Sequence, residues 1–379
     1  MGPSLKEFCY SLSLFSSLCF FLLLRVIDVY GRNDIDEMKQ TSNAHLERLQ
    51  KRHAGKYDNE DDYTYATTVV KKRAKPAKPG KEFYYPYRPK FQAHPHFGMC
   101  RLEDFEFSEN DRVGKGGYGT VFKARHIKTG KTVAVKYISA NSIKEKPDHA
   151  ELEETIHYML ADHPNVSRLF CTMRNSDNDI YLVTEFYDGG NLAKQISRLY
   201  PLPRPLLVKW TAQALMALRY IHSYCILYRD VKAENVMIDS TENIKLIDFG
   251  LAVYDCDNKR SNFAGTREYV APEVAARKNY GRAADYYSFG ILLYLMKTGS
   301  LPYRRGRDED KDAFAERIAR GIKIKKTGDS EVDDLVSIFT DLDQKVRWAR
   351  VNGKFSQVIQ GHPFFKGYDW DAIDEAILV

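Results

Sequence analysis

The segment from Tyr228 to Gly250, which reads YRDVKAENVMIDSTENIKLIDFG, constrains the fold of this chain more than any other stretch. Two short runs of strand-forming residues, 236–238 and 244–247, flank a polar turn. Two such runs around a turn of this composition predict a β-hairpin. A carboxylate stands on each side, Asp230 before the hairpin and Asp248 after it, so the hairpin would bring two acidic side chains to one site.

Two carboxylates and an amide suit phosphoryl transfer, because one carboxylate can accept a hydroxyl proton while the other groups bind Mg²⁺. Asn235 supplies the amide. On these residues the segment resembles the eukaryotic protein kinase family: Asp230 ends a Y-R-D sequence in place of H-R-D, and Asp248 begins D-F-G. The resemblance implies that Asp230 is the catalytic base, that Lys232 stabilises the transferred group, and that Asn235 and Asp248 hold Mg²⁺.

A glycine-rich loop of the form G-x-G-x-x-G-x-V begins at Gly114. A dinucleotide-binding loop has the same glycine spacing but should lead into a helix. Here the runs 121–124 and 133–136 read as strands, which favours the kinase type of loop. The resemblance then makes Lys136 the phosphate-binding lysine. It assigns to the nucleotide Val113, Gly114, Lys115, Gly116, Gly117, Tyr118, Gly119, Thr120, Val121, Ala134, Lys136, Thr184, Glu185, Tyr187 and Met237.

A helical stretch at 150–160 contains three glutamates, one of which must pair with Lys136 in the family's active state. Glu154 lies ten residues before Pro164, which matches the family's spacing. We therefore predict Glu154 as the partner of Lys136.

The resemblance covers residues 105 to about 373 and is closest in pattern to the AGC group of Ser/Thr kinases, which includes the cyclic-AMP-dependent kinase. It implies an α+β fold with a small, β-rich N-lobe and a larger, mostly helical C-lobe. The predicted divisions are an apolar anchor or signal segment at 1–31, a flexible linker rich in charge, Pro and Tyr at 32–104, the kinase domain at 105–365 and a short AGC-like tail at 366–379.

The implied activity is transfer of the ATP γ-phosphoryl group to Ser or Thr of protein substrates, with ATP and Mg²⁺ required. Lys232 and Thr266 match the Ser/Thr branch of the family. The alternative is a pseudokinase scaffold that binds nucleotide or partners without turnover, and the intact catalytic set favours the enzyme. A membrane receptor is poorly supported, since only seven residues precede the apolar run.

Two departures from relatives concern regulation and selectivity. Asn262 stands where many relatives carry a phosphorylated Thr, so we expect activity without phosphate on this loop, with the neighbouring Ser261 as the alternative acceptor. Basophilic relatives have carboxylates at three positions, and here Asn191 and Leu295 replace two of them while Glu234 remains. We therefore expect a tolerant or only mildly basic consensus.

Residues 8–24 form an uncharged apolar run of 17 residues, the short end of what spans a bilayer. We expect a single-pass membrane anchor with the kinase domain in the cytosol, because Arg25, Arg32 and Lys39 follow the run. The alternatives are a cytoplasmic protein whose N-terminal helix packs on the kinase domain, or a cleaved signal peptide that leads the chain into the secretory pathway.

The net charge is +6, and six Lys or Arg lie at 71–81 without an acidic residue. Such a run is most often a solvated linker, so no nucleic-acid partner is expected. The six cysteines, which are irregularly spaced, predict neither zinc nor a disulfide framework, and thiols in a reducing compartment are favoured. The sequence does not determine the oligomeric state.

Overall fold

The structure, a computed structural model, describes residues 100–116, 119–145, 147–160, 163–255 and 258–370. The predicted apolar run, the basic run and nearly all of the predicted linker lie outside the described residues, as do Gly117, Tyr118 and the last nine residues of the tail. Among the described residues, no helix has the length and apolar character that a membrane crossing requires.

The smaller lobe is built on a six-stranded antiparallel sheet with the order β1-β3-β4-β6-β5, and β2 pairs with β3. Its strands are β1 (Phe105–Glu106), β2 (Arg112–Gly116), β3 (Gly119–His126), β4 (Thr132–Ile138), β5 (Leu169–Arg174) and β6 (Ile180–Glu185). In β4, Val133 and Val135 are fully buried while Ala134 and Lys136 alternate with them, as the period of two in a strand requires.

Two helices follow β4: α1 (Ala140–Glu145) and α2 (Pro147–Met159). The inner side of α2 carries Glu153, Ile156 and His157, each at most 4% exposed. Spacings of three and four residues place these side chains on one face of a helix, so α2 packs that face inward.

The larger lobe is mostly helical and encloses the main hydrophobic core. Its helices are α3 (Leu192–Leu199), α4 (Arg204–Ser223), α5 (Pro272–Ala275), α6 (Ala283–Thr298), α7 (Lys311–Ala319), α8 (Ser330–Phe339) and α9 (Gln344–Trp348). Short 3₁₀ turns occur at Leu102–Asp104, Glu109–Asp111, Ala233–Asn235 and Pro363–Phe365, and π-helical turns at Ala349–Gly353 and Phe355–Gln360. The bilobal architecture predicted from the sequence is confirmed.

Four short strands carry the loops of the catalytic segment. They are β7 (Ile226–Leu227), β8 (Val236–Ile238), β9 (Ile244–Leu246) and β10 (Val253–Tyr254). The β8 and β9 strands pair antiparallel with Val236 opposite Leu246, which confirms the predicted hairpin. The β10 strand pairs with β7, so the residues after Asp248 return to the chain that precedes Asp230.

Cys100 and Cys171 form a disulfide bond between the chain before β1 and strand β5. The expectation of thiols throughout is therefore wrong for this pair. The two cysteines are 71 residues apart, and β1 and β5 stand at opposite ends of the strand order, so sequence distance and strand pairing alone do not predict the bond. Cys225 is a free cysteine, and Cys9, Cys19 and Cys256 lie outside the described residues.

Candidate active site

Lys136 of β4 forms two ion pairs, one within the smaller lobe to Glu153 on α2 and one to Asp248 on the catalytic segment. Its Nζ lies 2.5 Å from Glu153 Oε1 and 2.8 Å from Asp248 Oδ1. Burial disfavours the ammonium ion, but the two carboxylates outweigh burial and raise the pKa of Lys136. Burial likewise opposes the charged form of Asp248, yet the Lys136 cation prevails and lowers the pKa of this carboxyl.

Glu153 occupies the position that we predicted for Glu154, so the assignment of Glu154 is wrong. Adjacent helix residues point about 100° apart, since a turn takes 3.6 residues. Glu153 is 3% exposed and faces the sheet. Glu154 instead accepts a hydrogen bond from Thr172 Oγ1 at 2.5 Å and lies 3.4 Å from Arg174.

Asp230 lies in a loop where both of its carboxylate oxygens have partners. Thr266 Oγ1 donates to Oδ1 at 2.8 Å, and Asn235 Nδ2 donates to Oδ2 at 2.8 Å. Lys232 Nζ lies 2.6 Å from Oδ2 and 3.2 Å from Thr266 Oγ1. A carboxylate held in this way can receive a proton from a hydroxyl that approaches it, while the neighbouring ammonium group can stabilise negative charge beside it.

Asn235 and Asp248 fit a Mg²⁺ site by the chemistry of their remaining atoms. Asn235 uses Nδ2 to bond Asp230, which leaves its carbonyl oxygen to bind a cation. Asp248 uses Oδ1 for Lys136 and for the backbone N–H of Gly250 at 3.2 Å. Within the described residues, no hydrogen bond occupies Asp248 Oδ2, and Mg²⁺ prefers oxygen ligands of this kind.

Asp285, near the start of α6, fixes the backbone of the catalytic loop from inside the core. It is 1% exposed and accepts hydrogen bonds from the backbone N–H groups of Tyr228 at 2.9 Å and Arg229 at 2.8 Å. His222 Nε2 lies 2.8 Å from the same carboxylate. Burial outweighs this partner and lowers the pKa of His222, so the imidazole is neutral at pH 7 and donates this bond.

Tyr228, which replaces the usual His, connects the catalytic loop to Asp248 and to α2. Its hydroxyl donates to the carbonyl of Ile247, the residue before Asp248. Its ring lies 5.5 Å from that of Phe249, which in turn lies 4.9 Å from the ring of His157 on α2. This chain of rings joins the loop of Asp230 to the helix that bears Glu153.

The residues predicted for the glycine-rich loop lie on two paired strands. Val113, Gly114, Lys115 and Gly116 belong to β2, and Gly119, Thr120 and Val121 to β3. A Cβ atom at Gly119 would lie 2.4 Å from the carbonyl oxygen of Tyr137 on β4. A side chain cannot be accommodated there, so the close approach of β3 to β4 at this position requires glycine.

The residues predicted for the adenine contact lie around the end of β6. Thr184 pairs with Ala134 of β4, and Glu185 ends the strand. The Tyr187 side chain is buried and its hydroxyl lies 3.2 Å from Glu185 Oε2, so its backbone, and not its ring, is left to contact a nucleotide. Met237 lies on β8 and forms a bridge to Asn191.

Comparison with known proteins shows which family has this arrangement of side chains. The family model for the protein kinase domain matches residues 107–365. The chain belongs to the protein kinase family. The chain is 34% identical over 280 residues to a probable cAMP-dependent protein kinase catalytic subunit of Encephalitozoon cuniculi, over 73% of this chain and 84% of that protein.

Two further relatives extend the comparison. Serine/threonine-protein kinase AtPK1/AtPK6 of Arabidopsis thaliana is 33% identical over 73% of this chain, which spans 58% of that protein. The cAMP-dependent protein kinase type 3 of Saccharomyces cerevisiae is 28% identical over 76% of this chain and 70% of that protein. The chain is thus an AGC-like Ser/Thr protein kinase, and the family uses ATP and Mg²⁺.

Two more features of this kinase stabilise the end of the segment that starts at Asp248. Glu273, which follows Ala271 and Pro272 at the end of this segment, forms an ion pair with Arg347, which is fully buried. Arg347 also donates from Nε to the carbonyl of Ala283 at 2.8 Å. The ion pair fixes α5 to α9 and to the start of α6.

Sequence reasoning missed Glu153 and the hydrogen bonds of Tyr228 and Asp285. A signal for Glu153 was present, because it lies three, four and seven residues before Ile156, His157 and Leu160, which share one helix face. For Asp285 the signal was a single carboxylate at the start of an otherwise apolar helix, which must find buried donors.

Proposed function

We propose that this kinase transfers the γ-phosphoryl group with Asp230 as the group that orients the substrate hydroxyl and accepts its proton. The supporting observation is the pair of hydrogen bonds from Thr266 and Asn235, which hold the Asp230 carboxylate in one orientation. Lys232 stabilises charge on the transferred group, and Lys136 binds the phosphates that remain with the nucleotide. Asn235 and Asp248 hold Mg²⁺, which neutralises phosphate charge when bound.

The test is Asp230→Asn in the full chain, with Asp177→Asn, an exposed carboxylate, as the matched control. We expect turnover on a Ser-containing protein to fall by about 10²–10⁴-fold while ATP affinity is retained, because Asp230 acts on the hydroxyl. The control should match the wild type. If wild-type protein transfers no more phosphate than Asp230→Asn, the pseudokinase alternative replaces this proposal.

A tolerant peptide consensus is supported by the charge near α3. A depression of about 520 Å³ is lined by Asn191, Lys194, Ser197 and Arg198, together with Ala193. Asn191 Oδ1 is used as the helix cap, accepting from the Lys194 backbone N–H at 3.0 Å. Two cations and an occupied amide do not favour arginines in a substrate. Glu234, which is exposed, is left as the carboxylate of the three family positions.

The measurement is kcat/KM for an Arg-Arg-x-Ser peptide against its Ala-Ala counterpart. We expect a ratio below about one hundred, equivalent to 2.7 kcal/mol. Lys194→Glu should raise the ratio by up to about fivefold, the size of an exposed ion pair, whereas Lys278→Glu at a distant exposed site should not. A wild-type ratio above one hundred would contradict the tolerant consensus.

We also propose that residues 1–31 bring the chain to a membrane of the secretory pathway and that the kinase domain faces the oxidising side. Disulfide bonds persist in such compartments and are rare in the cytosol, which makes the Cys100–Cys171 bond the supporting observation. The cytosolic domain predicted from the charges after residue 24 is the competing topology, and only the luminal one allows an N-linked sugar on the domain.

Topology can be measured with a sugar acceptor on an exposed segment. Lys354→Thr completes the sequence Asn352-Gly353-Thr, and residues 352–354 are exposed. We expect this variant to gain an endoglycosidase-sensitive glycan that Asn352→Gln in the same background removes. Absence of the glycan, with both cysteines open to alkylation in cells, would place the domain in the cytosol. Complete release by carbonate extraction would exclude an anchor.

A further inference from the structure

The described residues of the activation segment, 248–255 and 258–273, are arranged around Arg229, which precedes the catalytic Asp230. Arg229 is 8% exposed, and its Nε donates to the carbonyl of Leu251 at 2.5 Å. Its own carbonyl oxygen lies 2.5 Å from where a Cβ atom of Gly265 would be. Arg229 therefore contacts the segment near both of its ends, and its position affects that of Asp230 directly.

Tyr280 contacts the middle of the same segment. Its ring is 1% exposed, and its hydroxyl donates to the carbonyl of Asn262 at 2.8 Å. Its backbone exchanges two hydrogen bonds with Arg260, at 3.3 and 2.7 Å. Burial raises the pKa of Tyr280, and the nearby Arg229 side chain partly offsets that rise. Tyr280 therefore lies close to the Arg229 side chain while its hydroxyl donates to the carbonyl of Asn262.

A second contact supports the same attachment. Asn258 Oδ1 accepts from the Arg282 backbone N–H at 3.3 Å, and a Cβ at Gly281 would lie 1.9 Å from this oxygen. Asn258, Arg260 and Asn262 therefore contact residues 280–282 at every second position, as one extended chain contacts another.

We propose that Tyr280 is a positioning residue that keeps the activation segment of this kinase ordered without a phosphoryl group on the segment. The proposal rests on the kinase activity described above. A buried guanidinium group needs acceptors, since an unpaired charge inside a protein is costly. Leu251 supplies an acceptor for Arg229, and the hydroxyl and backbone of Tyr280 attach Arg260 and Asn262 directly to the larger lobe. The segment therefore has a fixed place without a phosphate, and Asn262 cannot carry one.

The direct test is Tyr280→Phe, which removes the hydroxyl and keeps the ring. Tyr286→Phe is the matched control, because Tyr286 is fully buried and its hydroxyl has no hydrogen-bond partner among the described residues. Both variants are compared with wild type as phosphatase-treated full chains. The measurements are kcat on a Ser-containing protein and the rate of tryptic cleavage after Lys259 and Arg260.

We expect Tyr280→Phe to lower kcat by about tenfold and to speed cleavage of the segment by a similar factor, with KM for ATP unchanged. Tyr286→Phe should stay within about twofold of wild type in both measurements. Equal cleavage and equal kcat for the two variants would overturn the proposal, as would wild-type enzyme that is inert until Ser261 is phosphorylated. A wild type that transfers no phosphate but shows the cleavage difference would reject the proposed catalysis and keep the role of Tyr280 in ordering the segment.

A measurement on the wild type covers the case in which Tyr280→Phe does not fold. Amide hydrogen exchange of residues 258–265 in the phosphatase-treated chain should be slow, because the N–H groups of Arg260 and Tyr280 are bonded to one another's carbonyls. Exchange as fast as that of an unstructured peptide would overturn the proposal.

Discussion

In the larger lobe the catalytic residues are fixed by hydrogen bonds inside the core, whereas Lys136 of the smaller lobe is positioned by two ion pairs, one to Glu153 on α2 and one to Asp248 on the catalytic segment. Asp285 is 1% exposed and binds the backbone of the catalytic loop. The side chain of Asp248, which pairs with Lys136, is 39% exposed. The comparison suggests that the Asp230 side of the site is rigid and that the Lys136 side depends on how α2 lies against the sheet.

The largest expected effect comes from disrupting the contacts that hold the catalytic loop on the Asp230 side of the site. Asp285→Ala leaves two buried backbone N–H groups and His222 without their acceptor, at about 1–3 kcal/mol for each lost partner. We expect the free energy of unfolding to fall by about 5 kcal/mol in chemical denaturation. Asp312→Ala, at an exposed position of α7, should change it by less than about 0.5 kcal/mol. A small loss for Asp285→Ala would show that the loop is held by other contacts.

The next effect concerns the disulfide bond of the smaller lobe. A cross-link over 71 residues restricts the unfolded chain and is expected to contribute about 4 kcal/mol. The double change Cys100→Ser and Cys171→Ser should lower the stability of this lobe by about that amount, whereas Cys225→Ser should have little effect. Calorimetry with and without reductant measures the loss. A wild type that reductant leaves unchanged would contradict it.

A smaller effect distinguishes the two neighbouring glutamates of α2. Glu153→Gln removes one carboxylate from Lys136, and we expect kcat/KM to fall about 100-fold, equivalent to 2.7 kcal/mol. Glu154→Gln is the matched control and should stay within about threefold, because Glu154 contacts Thr172 and Arg174. Comparable losses of kcat/KM in the two variants would mean that α2 is rotated about its axis in the active enzyme, so that a different face meets Lys136.

The smallest effect concerns pH and the junction between the lobes. Burial lowers the pKa of His157 from 6.5 to about 4, with Lys136 and Asp248 as the charges that act on it. As the pH falls, His157 is therefore protonated in the unfolded chain before it is protonated in the folded one. The free energy of unfolding decreases as the pH falls from about 6.5 towards 4. Between pH 7.5 and 5.5 the wild type should lose about 1 kcal/mol more than His157→Gln, which keeps a donor for Ser167. Equal losses in urea titrations would contradict this.

The sequence predicted the parts of the site that depend on local pattern. The β8–β9 hairpin follows from its two strand-forming runs around a polar turn, and the carboxylates of Asp230 and Asp248 flank it as predicted. Counting positions to a distant motif failed for Glu154, because one residue of error rotates a helix side chain by about 100°. The periodicity of the buried residues of α2 would have corrected it.

Contacts between distant segments could not be predicted in the same way. Cys100 meets Cys171, and Tyr280 meets Asn262, only in the folded chain, since the members of the two pairs are 71 and 18 residues apart. A buried Cys can stay a free thiol, and a buried Tyr hydroxyl needs a partner but can take any nearby acceptor, so neither residue type specifies its partner. These pairings depend on the tertiary structure.

The burial of Asn165 has a consequence for how the chain is made. Asn165-Val166-Ser167 is an acceptor sequence for N-linked sugar, yet Asn165 is 2% exposed and donates to the carbonyl of Ile244, 79 residues later in the chain. On the proposed entry into the secretory pathway, this asparagine would be accessible to the glycosylation machinery before its partner had been synthesised. A sugar attached at that moment could not be accommodated in the fold, so glycosylated Asn165 would identify molecules that failed to mature.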